Sequence, residues 1–163
     1  MNLLHPIPQK YTAFNPLYLI ATWFHSGRLK PASGTWGSLA ALPFVYVVIR
    51  YVGLQALPVA TGILFTLGYF AAQDYVTKTG EKDASPIVID EVVGISIALL
   101  PAGLDPKLWL IGFVLFRIFD AVKIGPVGWC DRKLPGAYGV MIDDVVAGIM
   151  AAVGVWLFSV YVL

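Results

Sequence analysis

Cysteine and histidine are scarce in this chain of 163 residues, and their scarcity excludes several kinds of site. The single cysteine, Cys130, has no partner for an intramolecular disulfide. The two histidines, His5 and His25, are far from Cys130 in sequence, so no cluster has the ligand spacing of a zinc site. A disulfide scaffold, a structural zinc module and a Cys/His nucleophile are therefore not expected.

Charge is also scarce. Charged residues make up 13% of the chain and hydrophobic residues 58%, with a mean hydropathy of +0.77. Soluble domains are about 45–50% apolar. The net charge of +1, with no basic stripe, excludes a nucleic-acid partner. The composition predicts one membrane-embedded domain spanning residues 1–163.

The first residues lack the basic and apolar layout of a secretory signal peptide, so insertion is expected to depend on internal segments. A spanning helix needs about 20 apolar residues. Five segments approach that length: 37–56, 57–73, 87–104, 108–123 and 141–163. The segment from Asn15 to Phe24 is too short and predicts an interfacial or re-entrant helix. The expected fold is all-α: a polytopic membrane bundle of about five spans plus that short helix.

The basic residues are distributed unevenly between the two ends of this bundle. Alternation of the five spans places the following residues at the end with loops 25–36, 74–86 and 124–140: Lys10, Arg28, Lys30, Lys78, Lys82, Lys123, Arg132 and Lys133. Only Arg50 and Lys107 fall at the opposite end. Because cytoplasmic loops carry the excess of Lys and Arg, the first end is predicted to face the cytoplasm.

Three apolar segments carry charged residues just inside that same end. The embedded residues are Asp90 and Glu91 in the first segment, Arg117, Asp120 and Lys123 in the second, and Asp143 and Asp144 in the third. An ionisable group in an apolar segment is costly, which makes it a candidate for function. Ile-Asp-Glu-Val-Val at 89–93 also resembles Ile-Asp-Asp-Val-Val at 142–146, which suggests two similar half-sites.

Carboxylates with two nearby cations are typical of a metal and phosphate site. Oxygen ligands suit a hard cation such as Mg²⁺, and Arg can hold phosphate oxygens as a bidentate fork. Arg117, Asp120 and Lys123 share one helical face by their spacing. A set of structural ion pairs, such as Arg117 with Asp90, is the alternative that the residues leave open.

Two glycine-rich loops lie at the same end. Gly34 and Gly37 allow an anion-binding nest of backbone N–H groups, and Thr35 or Ser38 is a candidate helix cap. The loop from Gly125 to Gly139 is expected either to close over a headgroup or to turn the chain.

In order and spacing, four pieces of the sequence resemble the phosphatidylglycerophosphatase A family of polytopic bacterial inner-membrane lipid phosphatases. The pieces are Gly34–Leu39, Asp83 leading into Ile87–Gly94, Phe116–Lys123, and Gly136–Gly139 leading into Met141–Gly148. The resemblance implies a Mg²⁺-dependent enzyme that removes the terminal phosphate of phosphatidylglycerophosphate, a phospholipid substrate, at the cytoplasmic face.

The resemblance also implies roles for particular residues. The catalytic set is Asp90, Glu91, Asp120, Asp143 and Asp144; the metal ligands are Asp90, Glu91, Asp143 and Asp144; the substrate-binding set is Arg117, Lys123, Gly34 and Thr35. A second hypothesis is a small divalent-cation transporter that uses the same intramembrane carboxylates. The position of the charges near one face, rather than at the midplane, favours the enzyme. The sequence leaves the oligomeric state open.

Overall fold

The computed structural model describes residues 3–81 and 84–162, which form seven α-helices and no β-strand. The helices are α1 (Pro16–Ala21), α2 (Ser33–Val47), α3 (Ala56–Thr79), α4 (Ile89–Ala98), α5 (Pro106–Val122), α6 (Pro126–Lys133) and α7 (Gly136–Tyr161). Helix α2 continues as a π-helical turn, Val48–Val52, and 3₁₀ turns occupy Ser26–Arg28 and Leu100–Ala102. Of the residues singled out above, Lys82 and Asp83 lie outside the described residues.

Local sequence explains where several helices begin and end. Asn15 caps α1 by accepting from the Tyr18 N–H at 3.0 Å, and Asp105 caps α5 by accepting from the Lys107 N–H at 2.8 Å. Proline occupies the first helical position of α1, α5 and α6, where its missing N–H costs nothing. Helix α3 ends at Gly80, whose φ of 79° is left-handed and suits glycine.

Three helical segments are long and apolar enough to cross a membrane: Ser33–Val52, Ala56–Thr79 and Gly136–Tyr161. They correspond to the predicted segments 37–56, 57–73 and 141–163. The prediction of an all-helical membrane fold is thereby confirmed for the described residues, whereas the count of about five spans stays a prediction.

The predicted segment 87–104 is much shorter as a helix than its apolar sequence indicated. Helix α4 has ten residues, or about 15 Å of axis at 1.5 Å per residue. Pro101 has no N–H and disfavours helical backbone in the residue before it, which explains the break after Leu99. The chain then turns through Gly103 and enters α5, so α4 and α5 form a hairpin.

Helix α4 lies at the centre of the bundle. It packs against α2, α3, α5 and α7, and eight of its ten residues are buried. Its first turn carries Asp90 and Glu91. Helix α7 also packs against α3, α5 and α6. The start of α2, the start of α4, the end of α5 and the first half of α7 therefore meet at one end of the bundle, called here the carboxylate end.

Candidate active site

A cavity of about 260 Å³ opens at the carboxylate end. Its lining residues are Ala32, Ser33, Gly34, Asp90, Glu91, Arg117, Asp120, Ala121, Lys123, Asp131, Val140, Asp143 and Asp144. Every residue assigned above to catalysis, metal binding or substrate binding is in this set except Thr35. The structure therefore brings the charged residues of α4, α5 and α7 to one cavity.

Three carboxylates form a tight cluster on one wall. Asp90, Glu91 and Asp144 each offer an oxygen atom, and these atoms all lie within 4.8 Å of one another. Asp90 and Asp144 are buried, and Glu91 is half-buried. Carboxylate oxygen atoms are the type of ligand that a hard divalent cation prefers, and these three converge closely enough to share one ion.

Two glycines explain why carboxylates from different helices come so close. A Cβ atom on Gly148 would collide with the backbone of Gly94, and one on Gly94 would lie 2.8 Å from the Asp144 carbonyl oxygen. The absence of both side chains lets the α4 and α7 backbones touch, as small residues do at helix interfaces in membranes. Gly94 follows Asp90 by one turn and Gly148 follows Asp144 by one turn, so the contact places the carboxylates side by side.

Buried oxygen atoms in this cluster have no partner within the described residues. Glu91 Oε2 and Asp144 Oδ2 are buried without a hydrogen bond. Leaving buried polar groups unpaired is costly, and more so for charged groups. A Mg²⁺ ion would supply the missing interaction, so the residues present fit the cation that the sequence predicted.

The two similar sequence pieces share one local geometry. Asp90 Oδ1 accepts from the Glu91 N–H at 3.0 Å, and Asp143 Oδ1 accepts from the Asp144 N–H at 3.1 Å. In each pair the first carboxylate is fixed by the backbone of the second residue. The two pairs differ in their wider surroundings, because Asp143 also binds a lysine.

Arg117 lies beside the cluster and is held by two carboxylates. Its Nη1 donates to Asp120 Oδ2 at 2.5 Å and lies 3.9 Å from Glu91 Oε1. The ion pair with Asp90, the structural alternative stated above, is not among the contacts of the described residues. Both contacts use Nη1, and Nη2 has no hydrogen bond or ion pair within residues 3–81 and 84–162.

Lys123 is the centre of a second charged group in the lining of the same cavity. Its ammonium lies 2.5 Å from Asp131 Oδ1 and 2.8 Å from Asp143 Oδ2. The residue ends α5 with a left-handed backbone, φ 51°. Asp143 thus pairs with Lys123, and the three-carboxylate cluster does not include it, although the sequence assigned it a metal ligand's role.

Sequence reasoning missed Asp131 as a site residue. Asp131 lies on α6, within a stretch interpreted as a glycine-rich loop, and its carboxylate is partly exposed. The signal that could have revealed α6 is Pro126, which favours a helix start. Helix α6 packs against α7 and carries Asp131 to the cavity.

The first glycine-rich segment, which contains Gly34 and Gly37, has a different local structure from the predicted one. Gly34 and Gly37 lie inside α2 and form no nest, and the left-handed residue is Ala32, φ 58°. The expectation that Thr35 or Ser38 caps the helix was wrong, because α2 starts at Ser33 without a side-chain cap and Ser38 donates to the Gly34 carbonyl. A Cβ atom on Gly34 would collide with the Glu91 carboxylate, so this glycine makes room for the cluster.

The start of α2 still faces the cavity through Ser33 and Gly34. The first N–H groups of a helix have no partner inside the helix, and they favour a bound anion. The predicted anion-binding role of this segment is therefore compatible with a helix N-terminus. Thr35 lies one residue beyond the cavity lining, and its role in substrate binding stays a prediction.

Comparison with known proteins agrees with this site. The family model for Phosphatidylglycerophosphatase A matches residues 19–159. Phosphatidylglycerophosphatase A of Haemophilus influenzae is 37% identical over 158 residues, covering 95% of this chain and 96% of that protein. The Escherichia coli protein of the same name is 37% identical over 139 residues, covering 85% of this chain and 80% of its own length.

A third relative carries a different name. A putative phosphatidylinositol-3-phosphatase of Bacteroides thetaiotaomicron is 40% identical over 165 residues, covering 92% of this chain and 99% of that protein. No solved structure matches the chain. The family match spans the cavity and all three charged segments, so this chain belongs to the phosphatidylglycerophosphatase A family and is a phosphatase.

Proposed function

We propose that this chain is a Mg²⁺-dependent phosphatidylglycerophosphatase that releases the terminal phosphate of its lipid substrate at the cytoplasmic leaflet of the bacterial inner membrane. The observation that carries the proposal is the cluster of Asp90, Glu91 and Asp144, with its unpaired oxygen atoms, in a chain of this family. Those three carboxylates would hold the ion. Mg²⁺ bound there would polarise the phosphate and lower the pKa of a bound water.

The chain's own cations fit the charge of the substrate. Arg117 presents free guanidinium hydrogens beside the cluster, where they can bind two equatorial phosphate oxygens. Lys123 and the first N–H groups of α2 lie on other walls of the same cavity. These groups offset the charge that hydrolysis develops, since catalysis of phosphoryl transfer is mostly positional and electrostatic work. Water then forms the new P–O bond as the ester P–O bond breaks and the alcohol leaves with a proton.

The side of the membrane follows from the basic residues. Eight of the eleven Lys and Arg residues fall at the carboxylate end when the spans alternate. Excess Lys and Arg mark cytoplasmic loops. The terminal phosphate of a lipid in the cytoplasmic leaflet would reach the cavity from that side, while its acyl chains stay in the bilayer.

The transporter hypothesis has no support from the comparisons, because the relatives carry phosphatase names. The cluster also lies at one end of the bundle, whereas transporter sites lie near the midplane. The relatives differ in the substrate that their names state, so the headgroup is the point that needs a direct test.

The test is phosphate release from phosphatidylglycerophosphate in detergent micelles, with phosphatidylinositol 3-phosphate and phosphatidic acid compared at equal mole fraction. We expect phosphatidylglycerophosphate to be hydrolysed fastest, EDTA to abolish release, and added Mg²⁺ to restore it. Faster release from either of the other lipids would contradict the proposed substrate. Full activity in EDTA would contradict the proposed cofactor.

A further inference from the structure

Three consecutive residues between α1 and α2 have left-handed backbone conformations. Their φ angles are 42° at Trp23, 54° at Phe24 and 71° at His25. Residues other than glycine rarely adopt this conformation, and bulky side chains do so least. Such strain persists only where the surrounding structure fixes it, and it often marks a functional feature.

Hydrogen bonds fix this turn on both sides. The Phe24 N–H donates to the Leu19 carbonyl at 2.8 Å, and the Gly27 N–H donates to the Thr22 carbonyl at 3.0 Å. The turn directs the Phe24 side chain outward, and 67% of that residue is exposed. A strained backbone thus presents a phenylalanine to the surroundings.

The position of Trp23 gives the depth of this turn. Its indole Nε1 donates to the Ala40 carbonyl of α2 at 3.0 Å, and its ring packs edge-on against Phe44. Ala40 lies seven residues beyond Ser33, which is about 10 Å along α2 from the carboxylate end at 1.5 Å per residue. The helical segment Ser33–Val52 is long and apolar enough to cross a membrane, so the turn lies level with part of a candidate span.

Other apolar side chains extend the same surface. Leu4 pairs with Leu29 in an isolated antiparallel bridge, which brings the N-terminal residues next to the turn. Leu3 is 61% exposed and Leu4 is 41% exposed. Leu4, Phe24 and Ala40 line one shallow depression of about 440 Å³, so the patch is continuous with the side of α2. The patch is defined here as Leu3, Leu4 and Phe24.

The other parts of this segment are fastened to the bundle. The Tyr11 hydroxyl donates to Asp74 Oδ2 at 2.8 Å, and the Val88 N–H donates to the Ala21 carbonyl at 2.9 Å. Burial, followed by the hydrogen bond to Asp74, raises the pKa of Tyr11, so its hydroxyl stays a donor. Lys10 and Lys30, on either side of the turn in sequence, are exposed and suit anionic headgroups.

We propose that the patch of Leu3, Leu4 and Phe24 dips into the lipid leaflet at the carboxylate end, where these side chains contact acyl chains. The bilayer is the occupant that the structure favours, because the patch continues the membrane-facing side of α2 at the same depth. In water, such a patch would be an exposed hydrophobic surface held outward against backbone strain. This inference concerns placement in the membrane and does not depend on the reaction catalysed.

The test uses nitroxide labels on single cysteines in the full chain, reconstituted in liposomes of phosphatidylcholine and phosphatidylglycerol. Phe24→Cys and Leu4→Cys report on the patch. Ile63→Cys, on an exposed position of α3, is the lipid-facing reference, and Lys10→Cys is the aqueous reference. Cys130 is buried, and labelling of the unsubstituted chain measures its background.

We expect collisions with oxygen to exceed collisions with a water-soluble nickel chelate at positions 24 and 4, as at position 63, with the reverse at position 10. Chelate-dominated collisions at positions 24 and 4 would overturn the proposal, because the patch would then face water. Low collision rates with both reagents would also overturn it, since a second copy or another protein would then cover the patch. Because positions 24 and 4 are labelled in separate variants, the test can still be read if one of the two variants fails to fold.

Discussion

At the scale of single residues, two of the three clustered carboxylates differ from the ion-paired acidic residues of the cavity in having an unpaired buried oxygen atom. Glu91 Oε2 and Asp144 Oδ2 lack a partner in the described residues, whereas Asp143 is neutralised by Lys123 and Asp120 by Arg117. A carboxylate that is already paired with a basic side chain is stabilised less by a bound metal ion. We therefore propose a narrower ligand set than the sequence predicted, namely Asp90, Glu91 and Asp144.

Neutral variants of these ligands test that assignment. We expect Glu91→Gln and Asp144→Asn each to lower kcat by about 10²–10³, the usual cost of removing one group that stabilises transition-state charge. Folding should survive, because Arg117 keeps Asp120 as a partner. Asp105→Asn is the control, since asparagine also caps a helix and Asp105 lies at the start of α5. Normal kcat in both cluster variants would remove the metal-site assignment.

The role of Arg117 is tested by keeping its charge and changing its shape. Arg117→Lys retains the cation but loses the planar fork, so we expect a large loss of kcat, while Lys123→Arg should lose less because Lys123 acts as a point charge. Phosphate release and the melting temperature are measured together. A lower melting temperature with normal kcat would show that Arg117 serves only to neutralise the half-buried Asp120.

The limits of sequence reasoning at this scale are visible in the pair Asp143 and Asp144. Adjacent helical residues point about 100° apart, so the sequence shows that one carboxylate can face the cluster but does not show which. The informative signal was Gly148, one turn after Asp144, which marks the side of α7 that touches α4. Asp131 was missed because a charge in a glycine-rich stretch is ordinary at a surface.

At the scale of elements, the contact between α4 and α7 sets the spacing of the ligands. A Cβ atom on Gly94 would meet the Phe116 ring and, at 2.8 Å, the Asp144 carbonyl oxygen. Backbone atoms cannot move aside as a flexible side chain can, so an added methyl group must push the helices apart. The carboxylates on the two helices would then separate.

Gly94→Ala and Gly148→Ala are therefore expected to lower both the melting temperature and phosphatase activity, with overpacking costing about 1–3 kcal/mol. Gly62→Ala is the matched control, because α3 leaves open space at that position and alanine is the better helix former. An unchanged activity and melting temperature in Gly94→Ala would show that the helices are not in tight contact. Thermal unfolding in detergent and initial rates provide both readouts.

Element boundaries were harder to predict than element types. Apolar run length correctly indicated the helices now seen as α2, α3 and α7, because only a helix satisfies its backbone groups in lipid. It overestimated α4, because the apolar sequence continues through the turn at Leu100–Ala102 and a buried turn has the composition of a buried helix. Pro101 was the available signal for the helix end.

At the scale of the whole molecule, the hairpin of α4 and α5 decides the number of spans. Its tip, between Ala98 and Pro106, carries Asp105, and Lys107 follows in α5. Charged groups favour water over lipid, so the tip is expected to reach the aqueous phase on the far side of the membrane. Helices α4 and α5 would then each count as a span, which gives five. Because α4 has only ten residues, a second arrangement has to be tested. In it, the α4–α5 hairpin enters and leaves the membrane at the carboxylate end, its tip stays inside the bilayer, and the bundle has three spans.

Cysteine labelling separates the two arrangements. Leu104→Cys is at an exposed tip position and Lys133→Cys is at the exposed end of α6. With five spans, we expect a membrane-impermeant maleimide to label position 104 from the side opposite to position 133. Labelling of position 104 only after detergent is added would place the tip inside the bilayer and reduce the count to three spans. The assignment of the 25–36, 74–86 and 124–140 loops to the carboxylate end is the same for three and for five spans, since the hairpin returns to that end in either case.

The central position of α4 has a consequence for how the molecule is made. During synthesis α4 emerges before α7, and until residues 136–161 exist its face at Gly94 meets Phe116 of α5 but lacks its contact with the α7 backbone. Two carboxylates in ten residues oppose transfer into lipid. We therefore expect α4 to reach its final position only when α7 arrives, so that the cavity at the carboxylate end assembles late. We expect a nascent chain to stay inactive until α7, which carries Asp143 and Asp144, has been translated.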